Sequence, residues 1–150
     1  MIAFPYHAPE DSMEANIEVV RSAFDDFLRQ DIAALLDKLA DDIEWIDPGD
    51  PAIPYAGRYH GRADVANFFA RMAETTAVLR FDPQQYLVSG NWVGVFGSWQ
   101  ARARRTGTLF ESDWAMLFTV RDGRITRFQA CVDTAVETAA YQQGAAHSAA

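Results

Sequence analysis

Residues 43–69 read Ile-Glu-Trp-Ile-Asp-Pro-Gly-Asp-Pro-Ala-Ile-Pro-Tyr-Ala-Gly-Arg-Tyr-His-Gly-Arg-Ala-Asp-Val-Ala-Asn-Phe-Phe, and a change of period inside this stretch decides how the chain is built. The opening run alternates, which places Ile43, Trp45 and Asp47 on one face of a strand. A carboxylate on that face is held against apolar surface. Asp-Pro-Gly-Asp-Pro, then Ile-Pro-Tyr and two further glycines, can continue neither strand nor helix, so they predict an ordered loop. After Gly61, residues Val65, Phe68, Phe69 and Met72 recur at helical spacing, and the loop therefore delivers the chain from a strand to a helix lying over the same pocket.

Upstream, residues 1–10 hold two prolines and no periodicity, which predicts a loose arm. Asp11 and Glu14 have the spacing of a capping box and start a helix over about 12–29, with Ile17, Val20, Phe24, Phe27 and Leu28 as its apolar stripe. Asp31 can cap a second helix, about 31–40, that turns Ile32, Leu35, Leu36 and Leu39 inward. Downstream, a helix over about 62–75 is followed from Val78 by four strands divided at Gly90-Asn91, Thr106-Gly107 and Asp122-Gly123. These long strands suit a curled antiparallel sheet, with Gly94 and Gly97 allowing a bend.

Register follows from the turns. A two-residue turn at Thr106-Gly107 pairs Trp99 with Trp114 on one face and Arg102 with Glu111 on the other. Both indoles then face inward, where they either bind a flat apolar ligand or fill core. For the last hairpin, a two-residue Asp122-Gly123 loop sets Trp114 across from Cys131 and turns Asp133 inward. A three-residue Arg121-Asp122-Gly123 loop sets Trp114 across from Ala130 and turns Phe128, Ala130 and Val132 inward. The apolar alternation favours the second, and Thr134 with Glu137 then reads as a capping box opening a C-terminal helix that carries Val136, Ala139, Ala140 and Tyr141. From Gly144 the small residues predict a disordered tail.

Composition narrows the function classes. A chain of 150 residues with 49% hydrophobic content can bury a sizeable core as one domain, with its core at about 12–142. Its net charge of −8 argues against nucleic acid, and the short run Arg102, Arg104, Arg105 does not reverse that. A single cysteine, Cys131, excludes an internal disulfide, no stretch is apolar enough for a membrane span, and the first residues lack the pattern of a signal peptide. The expectation is a cytoplasmic protein with no membrane partner. Metal-ligand spacing, a phosphate loop and a Ser or Cys nucleophile motif are all missing, so no cofactor is expected.

The run Ile-Glu-Trp-Ile-Asp-Pro-Gly at 43–49, Tyr-x-Gly-Arg at 59–62, Phe-Thr-Val-Arg-Asp-Gly-Arg-Ile at 118–125 and the pair Asp133-Thr134 resemble the SnoaL-like polyketide cyclases. That family sits in the nuclear transport factor 2-like superfamily, with ketosteroid isomerase and limonene epoxide hydrolase. The resemblance covers roughly residues 13–141. It implies an α+β fold: a cone-shaped curled antiparallel β-sheet wrapped by the three helices of the N-terminal half, of the cystatin-like α+β barrel kind. It also implies that the first helix roofs a cavity and that the outer sheet face is buried in a homodimer. Trp92, Phe96, Leu117 and Cys131 make that outer face apolar, in agreement.

By position Asp47 resembles the general base of ketosteroid isomerase. A carboxylate on an apolar wall has the raised pKa that role requires. In that enzyme a tyrosine and a protonated aspartic acid hydrogen-bond the enolate oxygen, but here the matching positions are Ala23 and the acid-free Ala115-Met116 region. The Arg and two Asp of limonene epoxide hydrolase fall on Trp99, Ala101 and Ala130, so its water-activating triad is absent. The cyclases need only one acid/base group. Asp47 is the first candidate and Asp133 the second; the competing roles are a turn cap for Asp47 and a helix cap for Asp133. Trp45, Tyr55, Trp99, Trp114, Phe24, Met72 and Val132 are the candidate substrate-binding residues for a small apolar molecule. Tyr55, Tyr59 and His60 are placed at the cavity mouth, as ligand donors or simply as exposed aromatics. Two functions stay open: an acid/base enzyme of the cyclase, isomerase or dehydratase kind, and a non-catalytic binding or dimerising module.

Overall fold

The structure, a computed structural model, describes residues 10–148, with side chains from 12 to 142. The N-terminal arm and the Asp11 capping contact lie outside these described residues. In chain order the elements are α1 (Glu10–Leu28), α2 (Ile32–Asp37), β1 (Leu39–Asp47), β2 (Gly57–His60), α3 (Arg62–Thr75), β3 (Thr76–Ser89), β4 (Trp92–Ala103), β5 (Leu109–Arg121), β6 (Arg124–Val132) and α4 (Thr134–Ser148). The six strands form one curled, open sheet in the order β2-β1-β6-β5-β4-β3. Helix α1 packs against β3 to β6, while α3 packs against β1, β2 and β3.

Four details differ from the sequence reading. The sheet is antiparallel except between β1 and β6, which run parallel; no hairpin joins these two strands, so no turn dictates their relative direction. Helix α2 stops at Asp37, and Leu39 belongs to β1. The backbone there is drawn into the sheet: Ile125 N–H donates to Lys38 O at 2.8 Å, and the Arg62 guanidinium donates twice to Leu39 O at 2.9 and 2.7 Å. Part of the expected loop forms β2, pairing Tyr59 with Trp45 and Gly57 with Asp47. Helix α4 continues past Gly144 to Ser148 rather than ending in a loose tail.

The hairpins decide which side chains point inward. Between β4 and β5 the loop is longer than two residues, because Ala103 N–H bonds Thr108 O at 2.9 Å and Gly107 N–H bonds Ala103 O at 2.8 Å. Trp99 therefore pairs with Ser112, Trp114 with Gly97 and Arg102 with Leu109. This register lies two residues from the expected one, and a slip of two preserves the faces, so both indoles remain inside. Gly97 is required by its partner. A Cβ there would sit 2.4 Å from Asp82 O and 2.5 Å from Trp114 Cζ2.

Between β5 and β6 the turn is the two-residue Asp122-Gly123, with φ of 51° and 76°, the left-handed pair a tight hairpin needs. Arg121 pairs with Arg124, yet Trp114 pairs with Val132 because a bulge lies between Thr119 and Val120 and their partners. The extra residue on β6 restores the parity that the shorter loop would have lost. Phe128, Ala130 and Val132 consequently face in, as the apolar alternation required, although the favoured three-residue loop is not what puts them there. The opposite face leaves Trp92 and Phe96 about half exposed (47% and 46%), together with exposed Leu117 and Cys131.

Candidate functional site

Helices α1 and α3 and the concave sheet face enclose a cavity of about 80 Å³. All seven side chains expected to hold a ligand line it: Phe24 from α1, Trp45 from β1, Tyr55 from the β1–β2 loop, Met72 from α3, Trp99 from β4, Trp114 from β5 and Val132 from β6. The alternating strands and the helical stripe converge on one space because each buries its apolar face against the same core. Phe24 stacks on Trp114 at 5.8 Å and Trp45 on Phe128 at 3.9 Å, so the walls are largely aromatic. The indole N–H groups of Trp45, Trp99 and Trp114 are all buried and have no acceptor among the described residues. A groove of about 640 Å³ adjoins the cavity between α1, α3 and β3, and Phe27, Phe69, Met72 and Phe81 line both.

Two carboxyl groups interrupt this apolar lining. Asp47 ends β1 immediately before Pro48 and is only 7% exposed. It does not cap the following turn. That role falls to Asp50, whose Oδ1 accepts from Ala52 N–H at 2.8 Å. Burial pushes the Asp47 pKa up to about 8, with the charge of Glu137 as the second cause.

Glu137 is the second group, at 2% exposure in the first turn of α4. Its Oε2 accepts the Tyr55 hydroxyl proton at 2.6 Å. Burial raises its pKa to about 7; the Tyr55 bond works in the opposite direction, and the charge of Asp133 adds a smaller rise. Tyr141, one turn further along α4, donates to the Tyr55 hydroxyl at 3.2 Å and is itself bonded to Thr76 Oγ1. Burial raises the pKa of both tyrosines, so they stay neutral donors. The two acids are coupled, because the charge of Glu137 adds to the rise at Asp47, and their protons belong to the pair.

The spacing of Thr134 and Glu137 predicts a capping box, which would keep Glu137 at the helix start and away from the cavity. The cap is Asp133. Its Oδ1 accepts from Val136 N–H at 3.2 Å, which moves the helix start by one position and frees Glu137 to face inward. Asp133 itself is exposed and lies outside the cavity lining, which corrects its placement as an alternative base. The available signal was the spacing of Glu137 and Tyr141, four apart and so on one helix face. Tyr55, expected at the cavity mouth, is 1% exposed. Tyr59 is buried behind it and donates to Tyr55 O at 2.8 Å, while His60 is exposed and pairs with Glu44 at 2.8 Å. No group of three or more metal-ligating side chains occurs among the described residues.

The sequence profile of the SnoaL-like domain matches residues 20–128. The chain belongs to the SnoaL-like domain family. An uncharacterised protein of Mycobacterium tuberculosis is 35% identical over 117 residues, which cover 76% of this chain and 86% of that one. Among solved structures, an NTF2-like protein from Burkholderia xenovorans superposes with a TM-score of 0.80 at 32% identity, covering 87% of this chain and 98% of that one. TerC, solved as a co-crystal with polyporic acid, superposes with a TM-score of 0.78 at 27% identity, covering 85% and 98%. This SnoaL-like chain therefore shares with its relatives the scaffold that shapes the cavity, while the acid pair is read from its own residues.

Proposed function

We propose that this SnoaL-like protein binds a small, flat, largely apolar molecule bearing carbonyl or hydroxyl oxygens and transfers a proton on it, as a cyclase, isomerase or dehydratase does. The observation that carries this reading is Asp47: a carboxyl group buried on an aromatic wall, beside a second buried acid, with a pKa raised to about 8. Such a group has both its acid and its base form within reach near neutral pH, the condition under which proton transfer is most effective. In its ionised form it takes a proton from a carbon next to a carbonyl. In its protonated form it returns one. The three unpartnered indole N–H groups favour a ligand with acceptor oxygens, since buried donors ordinarily find partners. The co-crystal of TerC with polyporic acid is consistent with an organic ligand on this scaffold.

The small cavity volume favours a second reading, a non-catalytic module whose interior is simply packed. One experiment separates the two. Flat aromatic polyketones are screened by tryptophan fluorescence, and a bound compound is followed by NMR for exchange of its α-hydrogens with heavy water. Asp47→Asn should keep binding and slow exchange by ~10²–10⁴-fold, the usual contribution of an acid/base group. Equal exchange in the variant, or no binder in the panel, would leave the packed module as the better account.

The exposed outer face carrying Trp92, Phe96 and Leu117 supports pairing with a second copy of this chain. Light scattering at micromolar concentration should give a dimer mass, and Phe96→Glu a monomer. Net charge and composition support a cytoplasmic protein that avoids nucleic acid, and no helix among the described residues is long and apolar enough to cross a membrane.

A further inference from the structure

We infer that Glu137 is a second proton-handling residue of the cavity and that the hydroxyls of Tyr55, Tyr141, Thr76 and Thr75 form a relay joining it to the protein surface. The inference rests on the acid/base reading of the cavity. Its basis is an unbroken run of oxygens. Tyr55 donates to Glu137 Oε2 at 2.6 Å, and Tyr141 donates to Tyr55 at 3.2 Å. Because the single Tyr141 proton is directed at Tyr55, the close contact between Tyr141 and Thr76 has Thr76 as donor. Thr76 Oγ1 lies 3.2 Å from Thr75 Oγ1, and Thr75 is partly exposed. Tyr55, Tyr141 and Thr76 thus donate in one direction, toward the acid, while the Thr75 hydrogen is directed at Arg71 O.

The oxygens are held in place from both sides of the chain. Tyr59, itself contacted by Arg71 at 3.3 Å, pins the Tyr55 backbone. The middle of α4 is fastened to the loop after β4, where Thr106 donates to Ala140 O at 2.6 Å and Arg105 donates to Tyr141 O. Glu137 and Tyr141 therefore keep their separation along one helix face. An apolar cavity closed by a ligand has no water to carry protons, so a chain of fixed hydroxyls supplies a route that the lining lacks.

The transfer balances along the chain. As Glu137 Oε2–H forms, the Tyr55 O–H bond breaks; Tyr55 regains a proton from Tyr141, Tyr141 from Thr76, and Thr76 from Thr75, which takes one from water. Each hydroxyl ends neutral, and the net change is one proton gained by Glu137 and one lost by solvent. The outermost step needs a rotation. Thr75 Oγ1 also donates to Arg71 O at 2.6 Å, so its hydrogen must swing from that carbonyl to Thr76 before the chain is complete.

The test reads hydroxyl exchange directly and needs no substrate. In full-length protein with labelled tyrosine Cζ, NMR in mixed light and heavy water distinguishes fast hydroxyl exchange, one averaged line, from slow exchange, two lines. Tyr55 in the wild-type chain should give one line. Tyr141→Phe keeps the ring and removes the central oxygen, and Thr76→Val removes the outer one; either should split the Tyr55 resonance in two. A purely structural effect has the opposite sign, because a loosened fold opens more often and exchanges faster. A single averaged line for Tyr55 in both variants overturns the relay, as do two lines in the wild-type chain. Either outcome leaves the Asp47→Asn result untouched, so failure of the relay and failure of the acid/base function are separate findings.

Discussion

Asp26 and the pair Asp47 and Glu137 are buried to nearly the same degree, at 1%, 7% and 2% exposure, yet their surroundings differ completely. Asp26, on α1, is bracketed by two cations: Arg29 at 2.7 Å and Lys38, which follows α2. Its charge is compensated, and the contact ties α1 to the start of β1. Asp47 and Glu137 face aromatic walls, and among the described residues the one side-chain donor to either is the Tyr55 hydroxyl, which bonds Glu137. Where a cation is at hand, a buried carboxylate becomes a structural clasp. Without one, the proton itself compensates the charge, and the group can exchange that proton with a ligand.

The strongest way to break this comparison is pH. The folded-state pKa of Asp47 is about 8 against an ordinary value of 3.8, and that of Glu137 about 7 against 4.5. Between those values the folded chain holds protons that the unfolded chain has lost. Their contribution to stability is therefore complete below about pH 4 and disappears as pH rises through 7 and 8. Asp47→Asn removes its share of that dependence. The stability of the variant relative to wild type, from urea unfolding, should rise between acidic and alkaline pH by on the order of 5 kcal/mol. A difference independent of pH would show that Asp47 is not held protonated by the folded chain.

The clasp predicts the reverse sign. Asp26→Ala strands Lys38 against the base of α1 and should lower stability at neutral pH by about 3 kcal/mol. Ligand binding should not change, because Asp26 does not line the cavity. A loss under 1 kcal/mol in thermal or urea unfolding would show that water compensates Lys38 as well as Asp26 does. The smallest effect is expected at a fourth acid. Asp133→Ala removes the α4 cap at a cost of about 1 kcal/mol and leaves binding and proton exchange intact. Any loss of exchange there would return Asp133 to the site.

Much of the cavity was legible along the chain because its signals are local. Period two around Trp45 and Asp47, period 3.6 from Val65 to Met72, and alternation in β4 and β5 each specify a buried face without reference to the rest of the molecule. Those faces are the ones that meet, and all seven expected wall residues take their places there. Asp47 was legible for the same reason, as an acid on an apolar face. Glu137 was not, because a helix start one residue earlier converts a capping side chain into an inward one, and only the Asp133 contact to Val136 fixes that start.

Local sequence determined most helix and strand faces and the acid at Asp47, since each depends on neighbours within a turn or a strand, and the family resemblance implied the α+β fold. Tertiary structure decided the parallel β1–β6 contact, the bulge that keeps Val132 inside, and the meeting of Tyr55 with Glu137. These depend on how distant segments close on one another. Tyr55 and Glu137 are 82 residues apart in the chain, and no local pattern encodes that the loop after β1 and the first turn of α4 will share one buried hydrogen bond.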